Sequence, residues 1–303
     1  MTDHEPTKPN EHWPELIGHF NGEWVRNREL RLPINDIGFR QGVIAVERLR
    51  TYNGKAFVPD RHLSRWERTT TALHIGGLPN RGELRQLIAE LLKRNQDFIN
   101  DQGDVGVTVV ATPGDGDGKS SLAMHLNVID HDTVSDRRID GQPIMVTSVV
   151  QPPNESWSRD IKVRSRIHYY LADQTARAAH KDAIGVLVDS DDCVTETSSC
   201  NIAIVSDGEI TSPPKDRVLS GVTQSVIEEI AAHENLTWNR RPLSKADLSG
   251  ADEVLLMGTT GGIWFANRVD QVNLSDKPRP IYSRLLVTFD RYTNGSQPGT
   301  ATG

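Results

Sequence analysis

Residues 130–141 read DHDTVSDRRIDG and carry almost nothing apolar, yet they lie between two halves that each have their own strand and helix signals. One hydrophobic core cannot run through such a stretch, so it is the natural linker, and a chain of 303 residues is long enough for about two domains. We therefore expect a smaller N-terminal α+β domain over 16–130, a linker over 131–141 and a larger C-terminal domain over 142–292. The ends, 1–15 and 293–303, are rich in Pro, Gly, Asn and Thr and read as flexible tails.

Within the first half, apolar runs flank Asn21-Gly22 and again Asn53-Gly54, the strongest short-range hairpin signal. A helix is expected from Asp60, as its N-cap, to His74, and a second over 82–95, where Leu84, Leu87, Ile88, Leu91 and Leu92 fall at helical spacing. Strands follow over 105–111 and 122–129. Their connection contains Gly118-Lys119-Ser120, which ends like a phosphate-binding loop. The glycine such a loop needs is replaced by Pro113, and Asp115 and Asp117 would repel a phosphate, so a plain hairpin turn is expected. The second half alternates strands (144–150, 184–188, 201–205, 253–257, 262–265) with helices over 166–180, 221–232 and 280–291.

Composition excludes several function classes. A formal charge of −7 disfavours broad nucleic-acid binding, and no run approaches the roughly 20 apolar residues of a membrane span. The N-terminus lacks the apolar segment of a signal peptide, so a cytoplasmic protein is expected. Two cysteines, Cys193 and Cys200, make neither a disulfide framework nor a zinc site, and no metal is expected.

Three local features suit an anionic ligand. Ser220-Gly221-Val222-Thr223 opens a helix whose free N–H groups favour a phosphate. Gly258-Thr259-Thr260-Gly261-Gly262 follows an apolar strand and could bring backbone and hydroxyls close to a ligand. Arg65 sits in a helix with several basic residues. Each has a bland alternative: a capped turn, a strand-to-strand loop, a solvated face. Lys162, between a strand and a helix, is ordinary alone. It gains meaning with Glu196 in the run VTETSSCN, because a Schiff-base lysine needs an aldehyde cofactor and the pyridine nitrogen of pyridoxal phosphate needs a carboxylate.

At this point the chain resembles the class IV, or fold-type IV, aminotransferases, which include branched-chain and D-amino-acid aminotransferases and aminodeoxychorismate lyase. The landmarks run in order from about residue 16 to 290. Asn21-Gly22-Glu23-Trp24-Val25 is similar to the first hairpin. Asp36 to Gly42 and Val46-Glu47-Arg48-Leu49-Arg50 resemble the segment ending in GDGVFETLR, and His62-Leu63-Ser64-Arg65 resembles HxxR. Lys162 to Ile167 resembles the Schiff-base segment. Val194-Thr195-Glu196 with Ser198, Ser199 and Asn201 resembles VTEGSSSN. Leu219 to Thr223 resembles LPGITR, and Gly258-Thr259-Thr260 the final phosphate loop.

The resemblance implies an α/β (α+β) chain with the two-domain fold-type IV architecture, the site at the domain interface and cofactor binding in the C-terminal domain. It implies pyridoxal 5'-phosphate as cofactor and transfer of an amino group between an amino acid and a 2-oxo acid. Lys162 would be the catalytic lysine, Glu196 the partner of the ring nitrogen, and Arg65, Val222, Thr223 and Thr259 the phosphate ligands. A homodimer is also implied, acting on a small-molecule substrate with no nucleic-acid or membrane partner. A lyase acting on an aminodeoxychorismate-like substrate, and a paralogue that binds cofactor without turnover, stay open. The departures fall on the substrate side: Gln41-Gly42-Val43-Ile44 replaces the aromatic-Gly-Asp-Gly stretch, Val46 replaces an aromatic residue, and strand 107–112 lacks the arginine some members use for the substrate carboxylate. Arg164, Arg166 and His168 form a basic cluster suited to a carboxylate or to a solvated face, with Thr260 and Gly261 as further substrate candidates.

Overall fold

The computed structural model describes residues 13–295. By internal contacts the chain divides into two units: one of residues up to Ile129 together with Lys162–Ser165, the other of Asp130–Ile161 and Arg166 onward.

In the first unit β1 (Ile17–Phe20) and β2 (Glu23–Arg26) pair across Asn21 and Gly22, both at positive φ. That left-handed pair is what a two-residue turn matching strand twist requires. Helix α1 (Ile37–Gln41) follows, then β3 (Ala45–Tyr52) turns through Asn53-Gly54 in the same way into β4 (Lys55–Ala56). Helices α2 (Pro59–Ala72), α3 (Arg81–Arg94) and α4 (Gln96–Gln102) precede the hairpin β5 (Gly106–Thr112) and β6 (Ser121–Asn127). The expected hairpin turn over 113–120 is thus present. The sheet is antiparallel throughout, in the order β2-β1-β6-β5-β3-β4.

One sheet face presents Leu49, Val107 and Leu126 in one row and Ala45, Ala111 and Leu122 in another. Leu63, Trp66, Leu84, Ile88 and Leu91 join them in a single core. Each such side chain, fully buried, contributes about 1.5–3 kcal/mol. Two expectations need correction. Asp60 is not the N-cap of α2: Val58 occupies that place and Pro59 opens the helix, where a missing N–H costs nothing. Nor is residue 13 part of a loose tail, since the Trp13 indole donates to the Leu126 carbonyl at 3.1 Å and meets His125 edge-on. The remaining tail residues lie outside the described ones.

The second unit opens with α5 (His131–Ile139), in the stretch expected to be only a linker. Asp130 caps it by accepting from Thr133 N, and no residue of it is buried, so the sparse apolar content reflects an exposed helix rather than a connector. There follow β7 (Gln142–Val150), α6 (Ile167–Ala179), β8 (Ile184–Val188), β9 (Val194–Thr197), β10 (Asn201–Ser206), β11 (Glu209–Ser212), α7 (Val222–His233), β12 (Trp238–Arg240), α8 (Lys245–Gly250), β13 (Glu253–Gly258), β14 (Gly262–Val269), β15 (Val272–Asn273) and α9 (Pro280–Thr293). The strands run β12-β11-β10-β13-β14-β7-β8-β9, and β9 pairs back onto β10 through Glu196 and Asn201. That single pair closes a ring of strands whose interior holds Val186, Val194, Ile202, Ile204, Leu256 and Trp264. Helix α6 lies so close to β8 that a Cβ on Gly185 would come within 2.4 Å of the Ala172 backbone, so only glycine fits.

Candidate active site

The expected site residues divide between the units: Arg65, Lys162 and Arg164 belong to the first, Glu196, Val222, Thr223, Thr259, Thr260, Gly261, Arg166 and His168 to the second.

In the first unit, α2 buries His62, Arg65 and Thr69, one turn apart on one face. Polar groups so placed need partners. The Arg65 guanidinium donates to both oxygens of Glu47 on β3, at 2.9 and 2.6 Å, and His62 Nδ1 lies 3.0 Å from the same carboxylate. Burial alone would raise the Glu47 pKa, but the Arg65 charge and the bonds from His62 and Arg65 hold it well below the usual carboxylate range. Burial pushes His62 down, helped by the charges of Arg65 and Lys162 and opposed by Glu47. Thr69 Oγ1 accepts from Lys162 N at 3.0 Å. The Lys162 carbonyl accepts from Val46 N at 2.9 Å, Arg164 N donates to the Ile44 carbonyl at 3.0 Å, and Val163 pairs antiparallel with Ala45. Lys162 is therefore carried on a short segment joined to β3 by a single antiparallel bridge, a placement invisible in linear order.

In the second unit, Glu196 sits at the pair that closes the strand ring and is 4% exposed. Its Oε1 accepts from the Tyr169 hydroxyl at 2.7 Å and from Gln151 Nε2 at 3.1 Å. Its Oε2 accepts from Asn201 Nδ2 and Leu219 N, both at 3.1 Å. These are neutral donors. They order the carboxylate without cancelling its charge. Burial raises the Tyr169 pKa well above normal, as does the neighbouring Glu196 charge, so the phenol stays protonated and donating. Arg166 lies 4.4 Å over the Tyr169 ring and donates to the Ser198 carbonyl, which holds that ring in place.

Asn201 also links this carboxylate to helix α7. Its amide donates to the Leu219 carbonyl at 3.0 Å, and a Cβ on the N-cap Gly221 would collide with its oxygen at 1.8 Å. No side chain caps α7, and Val222 and Thr223 are its first, buried residues. Gly258 approaches the Ser199 carbonyl so closely that a Cβ would lie 2.5 Å away, and the turn carrying Thr259 and Thr260 follows, with the Gly261 carbonyl accepting from Arg138. His168 does not supply a cation here: burial, then the charges of Arg166 and Arg159, push it down to about 4.

Among the buried side-chain polar atoms of this unit without a hydrogen-bond partner in the described residues are two amide atoms, Gln151 Oε1 and Gln224 Nε2. One is an acceptor beside Glu196, the other a donor in the first turn of α7. Those are the polarities demanded by a protonated ring nitrogen and by a phosphate, so the residues present fit pyridoxal phosphate. The sequence alone assigns no role to Gln151, and Tyr169 stands just beyond the position where many family members have a tyrosine near the lysine. Neither belongs to a motif quoted for the family, and only the fold brings them to Glu196.

Comparison with known proteins follows the same line. The pattern of the family described as "Amino-transferase class IV" matches residues 45–269. The branched-chain-amino-acid aminotransferase-like protein 2 of Arabidopsis thaliana is 26% identical over 96% of this chain, which spans only 53% of that relative's length. A D-alanine aminotransferase of Staphylococcus aureus is 27% identical over 90% of this chain and 96% of its own length. Among solved structures, the branched-chain aminotransferase of the thermophilic archaeon Thermoproteus uzoniensis, with norvaline, superimposes with a TM-score of 0.82 at 21% identity, covering 93% of this chain and 96% of that one.

Proposed function

The chain belongs to the class IV aminotransferase family and is a pyridoxal-phosphate-dependent aminotransferase, and we propose that Lys162 is its catalytic amine and Glu196 the partner of the cofactor's ring nitrogen. The observation that carries this is the Glu196 carboxylate, buried and ordered by four neutral donors.

Pyridoxal phosphate, when bound, supplies an aldehyde for amines to condense with and a protonated ring that accepts electrons from the substrate carbon. The rest is done by the protein. Glu196 holds the proton at the ring nitrogen, and Tyr169, Gln151, Asn201 and Leu219 N keep the carboxylate in one orientation. Val222 and Thr223, at the uncapped start of α7, bind the phosphate with backbone N–H groups and the threonine hydroxyl, aided by Thr259. Arg65 keeps the phosphate-binding role that the family resemblance assigns to it, with its guanidinium oriented by Glu47. Lys162, its backbone tied to β3 and α2, would serve as the amine that takes and returns the proton of the substrate's reacting carbon.

The amino donor is an amino acid of the D-alanine or branched-chain type, the substrates named for the relatives, and the acceptor is a 2-oxo acid. We place the enzyme in the cytoplasm; among the described residues no helix is long and apolar enough to cross a membrane. It works as a homodimer, for which the exposed stripe Ile167, Tyr170 and Leu171 on α6 is a suitable contact.

The test is spectroscopic. Purified protein given pyridoxal phosphate is expected to gain a visible absorbance band that Lys162→Ala abolishes. A panel of L- and D-amino acids should then convert the cofactor to its amine form. A wild type that develops no band refutes the proposal.

A further inference from the structure

The sheet of the first unit has a second face, opposite the core. Because Leu49, Val107 and Leu126 point to the core, the neighbouring row Arg48, Thr108 and His125 must point the other way. An arginine on a sheet face is usually solvated or paired. Arg48 is half-buried and unpaired: its Nε is buried without a hydrogen-bond partner, and among the described residues its guanidinium has no ion pair. The charge that acts on it is another cation, Arg164. Burial lowers the Arg48 pKa, and the Arg164 charge lowers it further. His125, half-buried in the same row, has its Nδ1 2.9 Å from the Leu126 carbonyl, and burial and both arginines hold its pKa down. The positive charge therefore rests on the two arginines.

Their position relative to Lys162 follows from pairing. Ala45 stands opposite Val163, and both turn toward the core face. In an extended chain the residues on either side, Lys162 and Arg164, turn to the other face, which is the face of Val46 and Arg48. Lys162 stands opposite Val46 and the exposed Arg164 opposite Ile44, so along this face Arg48 and Arg164 lie on either side of the Lys162 amine. A half-buried, under-partnered cation near a like charge is well placed for something anionic to complete it.

We propose that Arg48, together with Arg164, forms the subsite that holds the carboxylate of the substrate beside Lys162, and so makes the enzyme select amines that carry a carboxylate. This rests on Lys162 being the catalytic amine. Every amino acid and 2-oxo acid presents such a group next to the reacting carbon, and the arginine fork matches it with two parallel N–H···O bonds. The neutral Thr108 and His125 line the floor of the row and leave the charge of the guanidinium uncancelled.

The experiment compares wild-type, Arg48→Leu and Arg48→Lys holoenzymes, each with the best amino acid substrate and the amine lacking only its carboxylate. In Arg48→Leu the KM for the amino acid is expected to rise about 10- to 100-fold, and the preference for acid over amine to fall by the same factor. Arg48→Lys, which keeps charge but loses the fork, should lie between. Isobutyrate should raise the Tm of wild type and not that of Arg48→Leu, while Arg48→Leu without ligand should be at least as thermostable as wild type. A structural arginine would do the reverse. Unchanged preference, equal isobutyrate stabilisation, or a lower unliganded Tm overturns the proposal. If Arg48→Leu fails to fold, an Arg48→Lys enzyme with wild-type KM overturns it equally. Should wild type turn over no amino acid at all, the aminotransferase assignment falls instead, and isobutyrate binding still decides the role of Arg48.

Discussion

Two of the buried glutamates, Glu47 of the first unit and Glu196 of the second, are solvated in opposite ways. Glu47 is neutralised, with Arg65 forked onto both its oxygens and His62 beside it. Glu196 is ordered by a phenol, two amides and a backbone N–H, none of them charged. A paired acid in a core is a fixed structural unit, its charge already spent on a neighbour. An acid surrounded by neutral donors keeps its negative potential for a cation that arrives later. The difference separates an acid whose charge is paired from one whose charge is only hydrogen-bonded.

The contrast breaks most clearly in stability. Glu47→Gln leaves Arg65 buried without its counter-charge, and urea unfolding should show a loss of about 3–5 kcal/mol, with activity falling as the arginine loses its orientation. Glu196→Gln should fold nearly as well as wild type, since its hydrogen-bond partners are neutral. Its kcat should drop about 30- to 150-fold, the rate equivalent of one lost charge-assisted bond of about 2–3 kcal/mol, measured under saturating cofactor. If Glu196→Gln destabilises as strongly as Glu47→Gln, the two acids are the same kind of group and the distinction is lost.

A smaller effect sharpens the second site. His168 has its folded pKa lowered from 6.5 to about 4, so the unfolded chain binds the extra proton first. Its neutral form therefore contributes stability that is full above about pH 6.5 and declines as pH falls toward 4. His168→Gln should flatten the pH dependence of Tm across that window by a modest amount, because the ring is only half-buried. A slope identical to wild type would show that His168 titrates normally.

Much of this is legible in the amino-acid sequence. The Asn-Gly turns at 21–22 and 53–54 depend on two residues that tolerate left-handed backbone, and both hairpins are present. The Glu196 and α7 motifs were legible because each is local: a strand end followed by a turn, and a glycine opening a helix. Helix α5 was not, since a short exposed helix has no apolar stripe and only its cap at Asp130 announces it. Nor could the basic trio near Lys162 be resolved. Arg164 falls in one unit beside Arg48, and Arg166 in the other against Tyr169.

Local chemistry was thus enough to name the family, because turns, caps and motif order act over a few residues of chain. Which charges are cancelled and which are left open was decided only by folding. Glu47 meets Arg65, Tyr169 meets Glu196, and Arg48 meets Arg164 across long stretches of sequence. Electrostatic compensation depends on distance in space, and no linear pattern records it.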